Sequence, residues 1–188
     1  MPYTIKSQKL PGVFLIEPGV FQDDRGFFLE VFRSDQFREL GLPDHFVQEN
    51  HSGSHAGVLR GLHFQWQPPM GKLMRVTRGA AFLVAVDIRI GSPTLGQWHG
   101  CEVSESNRLQ IWAPAGFARG FCALTDFTEV QYLCTGTYNA KHESGILWSD
   151  PEIGINWPIQ NPNLSEKDRT AQTFAQWRAD PRSQLVRF

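Results

Sequence analysis

The sequence predicts an all-β domain, built from short strands as a barrel or a jelly roll. Aromatic residues, which favour strands, are plentiful: the chain holds 14 Phe, 6 Trp and 3 Tyr. Its 17 Gly and 12 Pro recur throughout and separate the apolar segments with turn signals. Helical periodicity is scarce, and many closely spaced strands favour a closed or double-sheet β fold.

Ten strands and two short helices are predicted from the alternation of apolar segments with turn residues. Turn-forming runs such as DDRG at 23–26 and PAG at 114–116 separate the strands. A helix is predicted at 34–40, with Ser34 as its N-cap and Gly41 just past its end, and a second near 165–177. The predicted strands are residues 12–17, 26–32, 46–52, 58–65, 72–78, 80–89, 98–103, 108–113, 120–123 and 128–138.

Length and composition restrict the class of protein. The 188 residues suffice for one domain with a hydrophobic core, so we predict a single domain over 1–188. Hydrophobic residues make up 41% and the net charge is −1, which argues against disorder and against a nucleic-acid or membrane-surface partner. The apolar stretches are far shorter than the roughly 20 residues of a membrane span. The N-terminal residues lack the apolar core of a signal peptide.

The cysteines indicate the compartment. Cys101, Cys122 and Cys134 form an odd number, and their spacing is not that of a metal site. We therefore expect buried thiols in a reducing, cytoplasmic environment.

One run, GVLRGLHFQ at 57–65, contains the strongest candidate for chemistry. Read as a strand with period 2, it places Gly61, His63 and Gln65 on one face and Leu62 and Phe64 on the other. If the polar face points into a barrel, His63 is a proton acceptor held inside a pocket.

Eleven short motifs, which follow one another along most of the chain, carry a family resemblance. In order they are DRGFFLE at 24–30, QENHS at 48–52, GVLRGLHFQ at 57–65, KLMRV at 72–76, VAVDIR at 84–89, SPT at 92–94, PAGFA at 114–118, YLCT at 132–135, GILW at 145–148, DP with IGI at 150–155, and LSEKD at 164–168. Together they resemble the dTDP-4-dehydrorhamnose 3,5-epimerases, a family with a cupin-type jelly roll. The resemblance therefore implies an all-β, cupin-like jelly-roll barrel with a few short helices, mainly C-terminal.

The resemblance implies an isomerase that needs no cofactor. Such an epimerase inverts C3 and C5 of dTDP-4-dehydro-6-deoxy-D-glucose, giving dTDP-4-dehydro-L-rhamnose for deoxysugar biosynthesis. Both hydrogens flank the C4 carbonyl, so removing either leaves an enolate. Its negative charge on the carbonyl oxygen is the main barrier, which cations fixed near that oxygen lower.

Four residues match the family's catalytic positions. His63 is implied as the base, since a neutral imidazole with a pKa of about 6.5 can accept a proton. Asp168 is implied as the carboxylate that orients the ring. Tyr132 is the implied acid on the opposite face of the sugar, and Lys72 the implied enolate stabiliser, with Arg119 as a second candidate for that role.

Strand alternation gives two of these side chains an inward direction. Lys72 shares its face with Met74, and Tyr132 shares its face with Val130 and Cys134. Both functional groups are therefore expected inside the barrel.

The remaining polar and aromatic matches are expected to bind the nucleotide diphosphate and base. Arginine suits phosphate because its planar guanidinium offers a fork of donors. The implied substrate-binding residues are Arg25, Phe27, Glu30, Gln48, Asn50, Arg60, Lys72, Arg119, Tyr138, Glu143 and Lys167.

Two positions depart from the family pattern, and one of them also bears on a metal site. Arg119 stands where the family usually has histidine, and Leu83 where it usually has an acid. Metal cupins use a His-x-His pair and a later histidine, but here the second and third of these positions are Gln65 and Arg119. Arginine has no lone pair to offer and glutamine is a poor transition-metal ligand, so no metal is expected.

Several alternatives stay open at this point. Within the enzyme class, the chain could invert only C3 or only C5, or act on another 4-keto nucleotide sugar. Outside it, a non-catalytic sugar-nucleotide binder and a metal-dependent cupin oxygenase are the rivals. A homodimer is expected from the resemblance, and an exposed N-terminal strand would gain from pairing with a second chain.

Overall fold

Two antiparallel β-sheets face each other around a shared apolar interior in the computed structural model of the chain, which describes residues 2–188. The predicted all-β jelly roll is confirmed. The strands β1 to β13 are Tyr3–Leu10, Val13–Pro18, Val20–Asp23, Gly26–Leu29, Gln48–Ser54, Leu59–Gln65, Lys72–Arg78, Ala80–Asp87, Trp98–Ser104, Gln110–Ala113, Phe117–Ala123, Thr128–Cys134 and Glu143–Gly145.

The strand order places neighbours from distant parts of the chain side by side. The six-stranded sheet has the order β1-β2-β10-β7-β12-β5, and the five-stranded sheet β13-β6-β11-β8-β9. Strands β3 and β4 form a separate hairpin. The N-terminal strand β1 lies at the edge of the larger sheet, where it pairs with β2.

Some strand bounds differ from the sequence prediction for physical reasons. Strand β11 begins at Phe117 rather than at Gly120, because Gly120 lies inside the strand where the backbone of β6 passes closely. A Cβ at Gly120 would lie 2.8 Å from the carbonyl oxygen of Arg60. Strand β12 ends at Cys134 instead of 138. Strands β1, β3 and β13 were not in the predicted set.

The helices are short, as expected: α1 at Ser34–Glu39, α2 at Glu166–Arg169 and α3 at Phe174–Ala179, followed by a 3-10 turn at Pro181–Leu185. The prediction that Ser34 caps α1 is wrong. Arg33 occupies the cap position without a side-chain cap bond, and Ser34 is the first helical residue.

The predicted helix at 165–177 is interrupted between α2 and α3. There the chain extends, and Gln172 pairs with Ile146 through a parallel bridge. Thr173 then starts a new helix with a capping box to Gln176. Pairing with the sheet edge thus overrides helical propensity over the intervening residues.

Apolar side chains form three layers. The central layer lies between the sheets and combines residues such as Met74 and Val130 with Leu83 and Phe121 of the opposite sheet. A second cluster, which contains Trp177 of α3, covers the outer face of the five-stranded sheet. A third cluster packs α1 on the outer face of the six-stranded sheet.

Trp177 tests the contribution of the second cluster to stability. The side chain is fully buried, and its ring centroid lies 4.5 Å from that of Phe64 and 6.0 Å from that of Trp66. Trp177→Ala should lower the free energy of unfolding by about 3–5 kcal/mol, since it leaves a large cavity. Urea unfolding measures the loss. The control Arg178→Ala removes an exposed ion pair to Glu152 and the contact of the guanidinium with the Phe174 ring, but it leaves no cavity and should cost less than about 1 kcal/mol.

Candidate active site

A cavity of about 510 Å³ opens in the barrel interior between the two sheets. Strands β7 and β12 of the larger sheet, β6 and β11 of the smaller, and the start of α2 contribute to its wall. The lining includes all four predicted catalytic residues together with two arginines: His63, Lys72, Tyr132, Asp168, Arg60 and Arg119. The structure thus brings together side chains that are far apart in sequence, such as His63 and Asp168, which are 105 positions apart.

A register shift in β6 brings two of these residues to the same face. His63 pairs with Arg119, but Arg60, three residues earlier, pairs with Phe121, only two residues later. The extra residue in β6 breaks the period of 2, so Arg60 and His63 both face the cavity. A strict alternation from Gly57 to Gln65 misses this placement of Arg60.

His63 and Asp168 form a partly buried hydrogen-bonded pair. His63 Nε2 lies 2.5 Å from Asp168 Oδ1, with the side chains 31% and 5% exposed. A carboxylate can only accept, so Nε2 carries a proton, and in the neutral imidazole the free lone pair is then that of Nδ1. Burial by itself raises the pKa of Asp168, but hydrogen bonds from His63 and Ser165 outweigh it and hold that pKa below its usual value.

Ser165 positions Asp168 and was not among the predicted site residues. Its hydroxyl donates to Asp168 Oδ2 at 2.8 Å and accepts from the Asp168 backbone N–H at 3.2 Å. The second bond also caps α2. The signal was present in the sequence: Ser165 followed three residues later by an acid has the spacing of a capping box.

Lys72 and Tyr132 lie against one another on the neighbouring strands β7 and β12. Lys72 Nζ is 4.9 Å from the centroid of the Tyr132 ring. Burial lowers the pKa of Lys72 to about 8, and the nearby charge of Arg119 acts in the same direction. Burial also raises the pKa of the Tyr132 phenol, so the phenol is protonated at neutral pH.

Arg119 is 4% exposed, and its guanidinium is tied to the backbone. Its two Nη atoms donate to the carbonyl oxygens of Met70 at 2.7 Å, Pro114 at 3.1 Å and Ala113 at 3.2 Å. Leu83 is fully buried in the central apolar layer. No carboxylate of residues 2–188 lies within 4.0 Å of the Arg119 guanidinium.

Gln65, which was expected on the same face as His63, uses its side-chain amide to hydrogen-bond the backbone of neighbouring loops. Its Nε2 donates to the carbonyl oxygens of Pro68 at 2.8 Å and Thr137 at 2.9 Å, and its Oε1 accepts from the Asn139 backbone at 2.8 Å. Gln65 therefore holds chain segments together.

Five predicted binding residues form one hydrogen-bonded series outside the cavity. Glu143 Oε1 accepts from Lys167 Nζ at 2.5 Å and from the Tyr138 hydroxyl at 2.7 Å. The backbone N–H of Tyr138 donates to Gln48 Oε1 at 2.7 Å, and Gln48 Nε2 donates to Asn50 Oδ1 at 3.0 Å. Asn50 lies directly across from Tyr132 in the pairing of β5 with β12, and its Nδ2 donates to Cys134 Sγ at 3.7 Å, so this series reaches the strand that carries the catalytic phenol.

The other three predicted binding residues do not line the cavity of their own chain. Arg25 pairs with Asp23 in the hairpin of β3 and β4, and the Phe27 ring packs 4.1 Å from the Arg108 guanidinium carbon. Glu30, just after the hairpin, lies 3.7 Å from Arg33.

Three further features bear on the class of protein. Within residues 2–188, no group of three or more His, Cys, Asp or Glu side chains is arranged to hold a metal ion. In the same part of the chain, no helix has the length and apolar character to span a membrane. All three cysteines are free thiols, with Cys122 and Cys134 buried.

Comparison with known proteins gives a consistent result. A family model described as dTDP-4-dehydrorhamnose 3,5-epimerase matches residues 7–176. The epimerase of that name from Pseudomonas aeruginosa is 52% identical over 168 residues, which is 88% of this chain and 93% of that protein. Its Neisseria gonorrhoeae counterpart is 54% identical over 89% of this chain, although the chain spans only 51% of that longer relative.

A solved structure agrees over the whole fold. The dTDP-6-deoxy-D-glucose-3,5-epimerase of Legionella pneumophila, in complex with dTDP-4-keto-L-rhamnose, has a TM-score of 0.94 and 42% identity, covering 100% of this chain and 99% of that one. A dTDP-4-dehydrorhamnose 3-epimerase of Streptomyces niveus is 40% identical over 90% of this chain and 83% of that protein. Since the family model covers most of the sequence and two of these relatives are more than half identical to it, this chain is an isomerase that belongs to the dTDP-4-dehydrorhamnose 3,5-epimerase family.

Proposed function

We propose that the protein inverts C3 and C5 of dTDP-4-dehydro-6-deoxy-D-glucose, giving dTDP-4-dehydro-L-rhamnose for dTDP-rhamnose biosynthesis. One observation supports this most: the His63–Asp168 pair, Tyr132 and Lys72 line a single cavity. A base, an acid and a cation in one pocket are the groups that inversion next to a ketone requires.

The reaction begins at the C–H bond beside the ketone. His63 Nδ1 takes the proton, and the electron pair of the broken bond moves onto the C4 carbonyl oxygen. Asp168 stabilises the imidazolium that forms. Lys72 faces the developing negative charge, where a cation in a largely buried site acts more strongly than in water.

Inversion is completed from the other face of the sugar. The Tyr132 phenol gives its proton to the carbanionic carbon, and the carbonyl re-forms. C3 and C5 both flank C4, so the same groups can act on each carbon in turn. The tyrosinate and the imidazolium then exchange a proton through solvent, which restores both groups.

The nucleotide is expected to bind at the mouth of the cavity. Arg60 lines the cavity, and its guanidinium is oriented by hydrogen bonds to Ser54 Oγ at 3.0 Å and the Gly53 carbonyl oxygen at 3.2 Å. The remaining N–H groups of the Arg60 guanidinium can donate hydrogen bonds to the diphosphate. The adjoining series from Gln48 to Lys167 offers the exposed Tyr138 ring for stacking on the base.

Product stereochemistry tests the proposed function. The purified protein is incubated with dTDP-4-dehydro-6-deoxy-D-glucose, and proton couplings in the sugar ring report the configuration at each carbon. Inversion at both C3 and C5 is expected. A bound but unchanged sugar would contradict catalysis, and activity that depends on a stoichiometric metal would favour the oxygenase class.

Inversion at C3 alone is the second candidate function. It is raised by the 3-epimerase of Streptomyces niveus, which is 40% identical over 90% of this chain. Here the product would keep the starting configuration at C5. The same coupling measurement therefore decides between the two functions.

Asp168→Asn should lower kcat/KM by about 10³-fold, because an amide neither fixes the His63 tautomer nor stabilises the imidazolium. The pKa of Asp168 is depressed in the folded protein, so its stabilising effect is present above the unfolded value of about 3.9 and is lost as pH falls through the folded value. The difference in unfolding free energy between wild type and Asp168→Asn should therefore shrink below about pH 4. A difference independent of pH would contradict the ionic role of this pair.

We infer a homodimer from the exposed hairpin of β3 and β4. Phe21, Phe27 and Phe28 are 63%, 58% and 64% exposed, a large apolar surface for one short hairpin. Since Arg25 and Phe27 lie outside their own cavity, pairing of two copies offers a way for them to reach substrate in the partner's cavity. Their substrate-binding role depends on such an assembly.

Phe28→Glu combined with Phe21→Glu should shift the dimer to monomer in sedimentation velocity, because it places charge in the proposed interface. Both side chains are solvent-exposed in the single chain, so folding should be unaffected. The control Leu185→Glu changes an equally exposed C-terminal residue, 65% exposed, and should leave the dimer intact. A hairpin variant that stays dimeric would contradict this interface.

Three free thiols also favour a reducing compartment, so we place the protein in the cytoplasm.

A further inference from the structure

Two cationic side chains lie in the barrel interior without a carboxylate partner. Arg119 on β11 is 4% exposed, and Lys72 on β7 lies against the Tyr132 ring. Both line the proposed catalytic cavity. Within residues 2–188, no carboxylate oxygen lies within 4.0 Å of either cationic group. Buried charges are normally paired, so this arrangement calls for a functional explanation.

The guanidinium of Arg119 is fixed in place and has few donors left for a ligand. Both Nη atoms donate to backbone carbonyl oxygens: those of Met70 just before β7, Ala113 at the end of β10 and Pro114 just after it. Its Nε is buried and has no hydrogen-bond partner among residues 2–188. Arg119 therefore acts on the site mainly through its charge.

The neighbouring strand keeps that charge uncompensated. Across from Arg119, strand β8 places Ala85, and Leu83 lies one inward position along. Both are buried in the central apolar layer. An acid at position 83 would lie on the diagonal of the strand pair, within reach of an arginine side chain. With leucine there, nothing at this position offsets the positive field of Arg119.

Lys72 is the titratable group that this field reaches. The ionisable groups that influence it are Arg119 on β11, Cys134 on β12, Glu143 on β13 and Lys167 on α2. Tyr132 on β12 contacts it directly, and the inner residues of β10, Ile111 and Ala113, carry no charge. Burial and the charges of Arg119 and Lys167 favour the neutral amine, whereas Cys134 and Glu143 favour the cation.

We propose that Arg119 is a positioning residue that acts through Lys72, its fixed charge making the lysine a ready proton donor to the enolate oxygen. The inference rests on the proposed function. When His63 takes the proton from carbon, the C4 oxygen gains an electron pair, and a proton moves from Lys72 Nζ to that oxygen. The products of this step are a neutral enol and a neutral amine. As Tyr132 protonates carbon, the amine takes the proton back and the carbonyl re-forms.

This role differs from simple charge stabilisation. A strongly basic lysine would only donate a hydrogen bond to the enolate, whereas a less basic one transfers its proton readily. The pKa of Lys72, lowered to about 8, is consistent with transfer. Arg119 itself does not exchange protons in this range.

The test is a pH titration of Lys72 in ligand-free protein. The NMR resonance of the lysine ¹³Cε reports the protonation state, and the signal of Lys72 is identified by its loss in Lys72→Met. Arg119→Gln should move the titration midpoint up by about one pH unit, since a like charge has been removed. The alkaline limb of kcat should move with it, and kcat at pH 7 should fall about tenfold with little change in KM. Arg119→Lys, which keeps the charge, should leave the midpoint near that of wild type.

A matched control and a second variant keep the test decisive. Arg75 lies on β7, the strand that carries Lys72, but on its outer face, where it hydrogen-bonds Gln131. Arg75→Gln should therefore not move the titration midpoint of Lys72. If Arg119→Gln does not fold, Arg119→His supplies a smaller donor that is neutral above about pH 6.5 and should give the same upward shift. If a folded variant without a charge at position 119 leaves the Lys72 titration midpoint unchanged, while the wild-type enzyme is active, this inference is contradicted. Absence of turnover in wild type instead contradicts the proposed function.

Discussion

His63→Ala is expected to lower kcat/KM by about 10³- to 10⁴-fold, the upper range for loss of a general base. The substitution removes Nδ1, the atom proposed to take the proton, and leaves Asp168 without its partner. KM should change little, because the nucleotide-binding residues are untouched. Steady-state turnover of the 4-keto nucleotide sugar measures the effect.

His51→Ala provides a matched control. His51 also pairs with a carboxylate, Glu129, at 3.1 Å, but it is half-exposed and does not line the cavity. Its loss should leave turnover near that of wild type. If His63→Ala retained turnover comparable to His51→Ala, the assignment of His63 as base would be wrong.

Tyr132→Phe is expected to separate proton removal from inversion. The phenyl ring keeps the packing against Lys72, but the proton donor on the opposite face of the sugar is lost. Net epimerisation should fall by about 10²- to 10⁴-fold. His63 can still remove a proton and return one to the same face, so solvent hydrogen should continue to enter the unchanged substrate.

Tyr3→Phe is the control for this second prediction. Tyr3 is also a buried tyrosine with a raised pKa, but its hydroxyl donates to the Glu30 carbonyl oxygen, away from the cavity. The Tyr3→Phe variant should epimerise the substrate at the wild-type rate. Full epimerase activity in Tyr132→Phe would show that another group donates the proton.

The sequence was sufficient for the architecture because the aromatic, glycine and proline pattern is dense and regular. It also identified six residues that share the cavity, although mainly through the family resemblance, and it missed Ser165. Periodicity alone placed His63 on one face of a strand with Gly61 and Gln65, but nothing in the spacing indicates that Asp168 meets it from a helix start 105 positions away. That contact depends on how α2 packs on β6.

Other features of the site arise from tertiary structure and could not be read from local patterns. The register shift in β6 turns Arg60 inward, against the period of 2. Arg119 was recognised as a departure, but only the fold shows that three backbone carbonyls hold its guanidinium. Arg25 and Phe27 matched family positions, yet the single chain keeps them in the hairpin, apart from the cavity.

Hydrogen exchange with solvent tests the central claim most directly. Wild-type protein and His63→Ala are incubated with dTDP-4-dehydro-6-deoxy-D-glucose in D₂O, and deuterium at each sugar carbon is located by NMR. The proposed mechanism predicts deuterium at both C3 and C5 of the wild-type product and none above the uncatalysed rate with His63→Ala. Equal incorporation by the two proteins, or a wild-type product without deuterium, would contradict proton abstraction by His63.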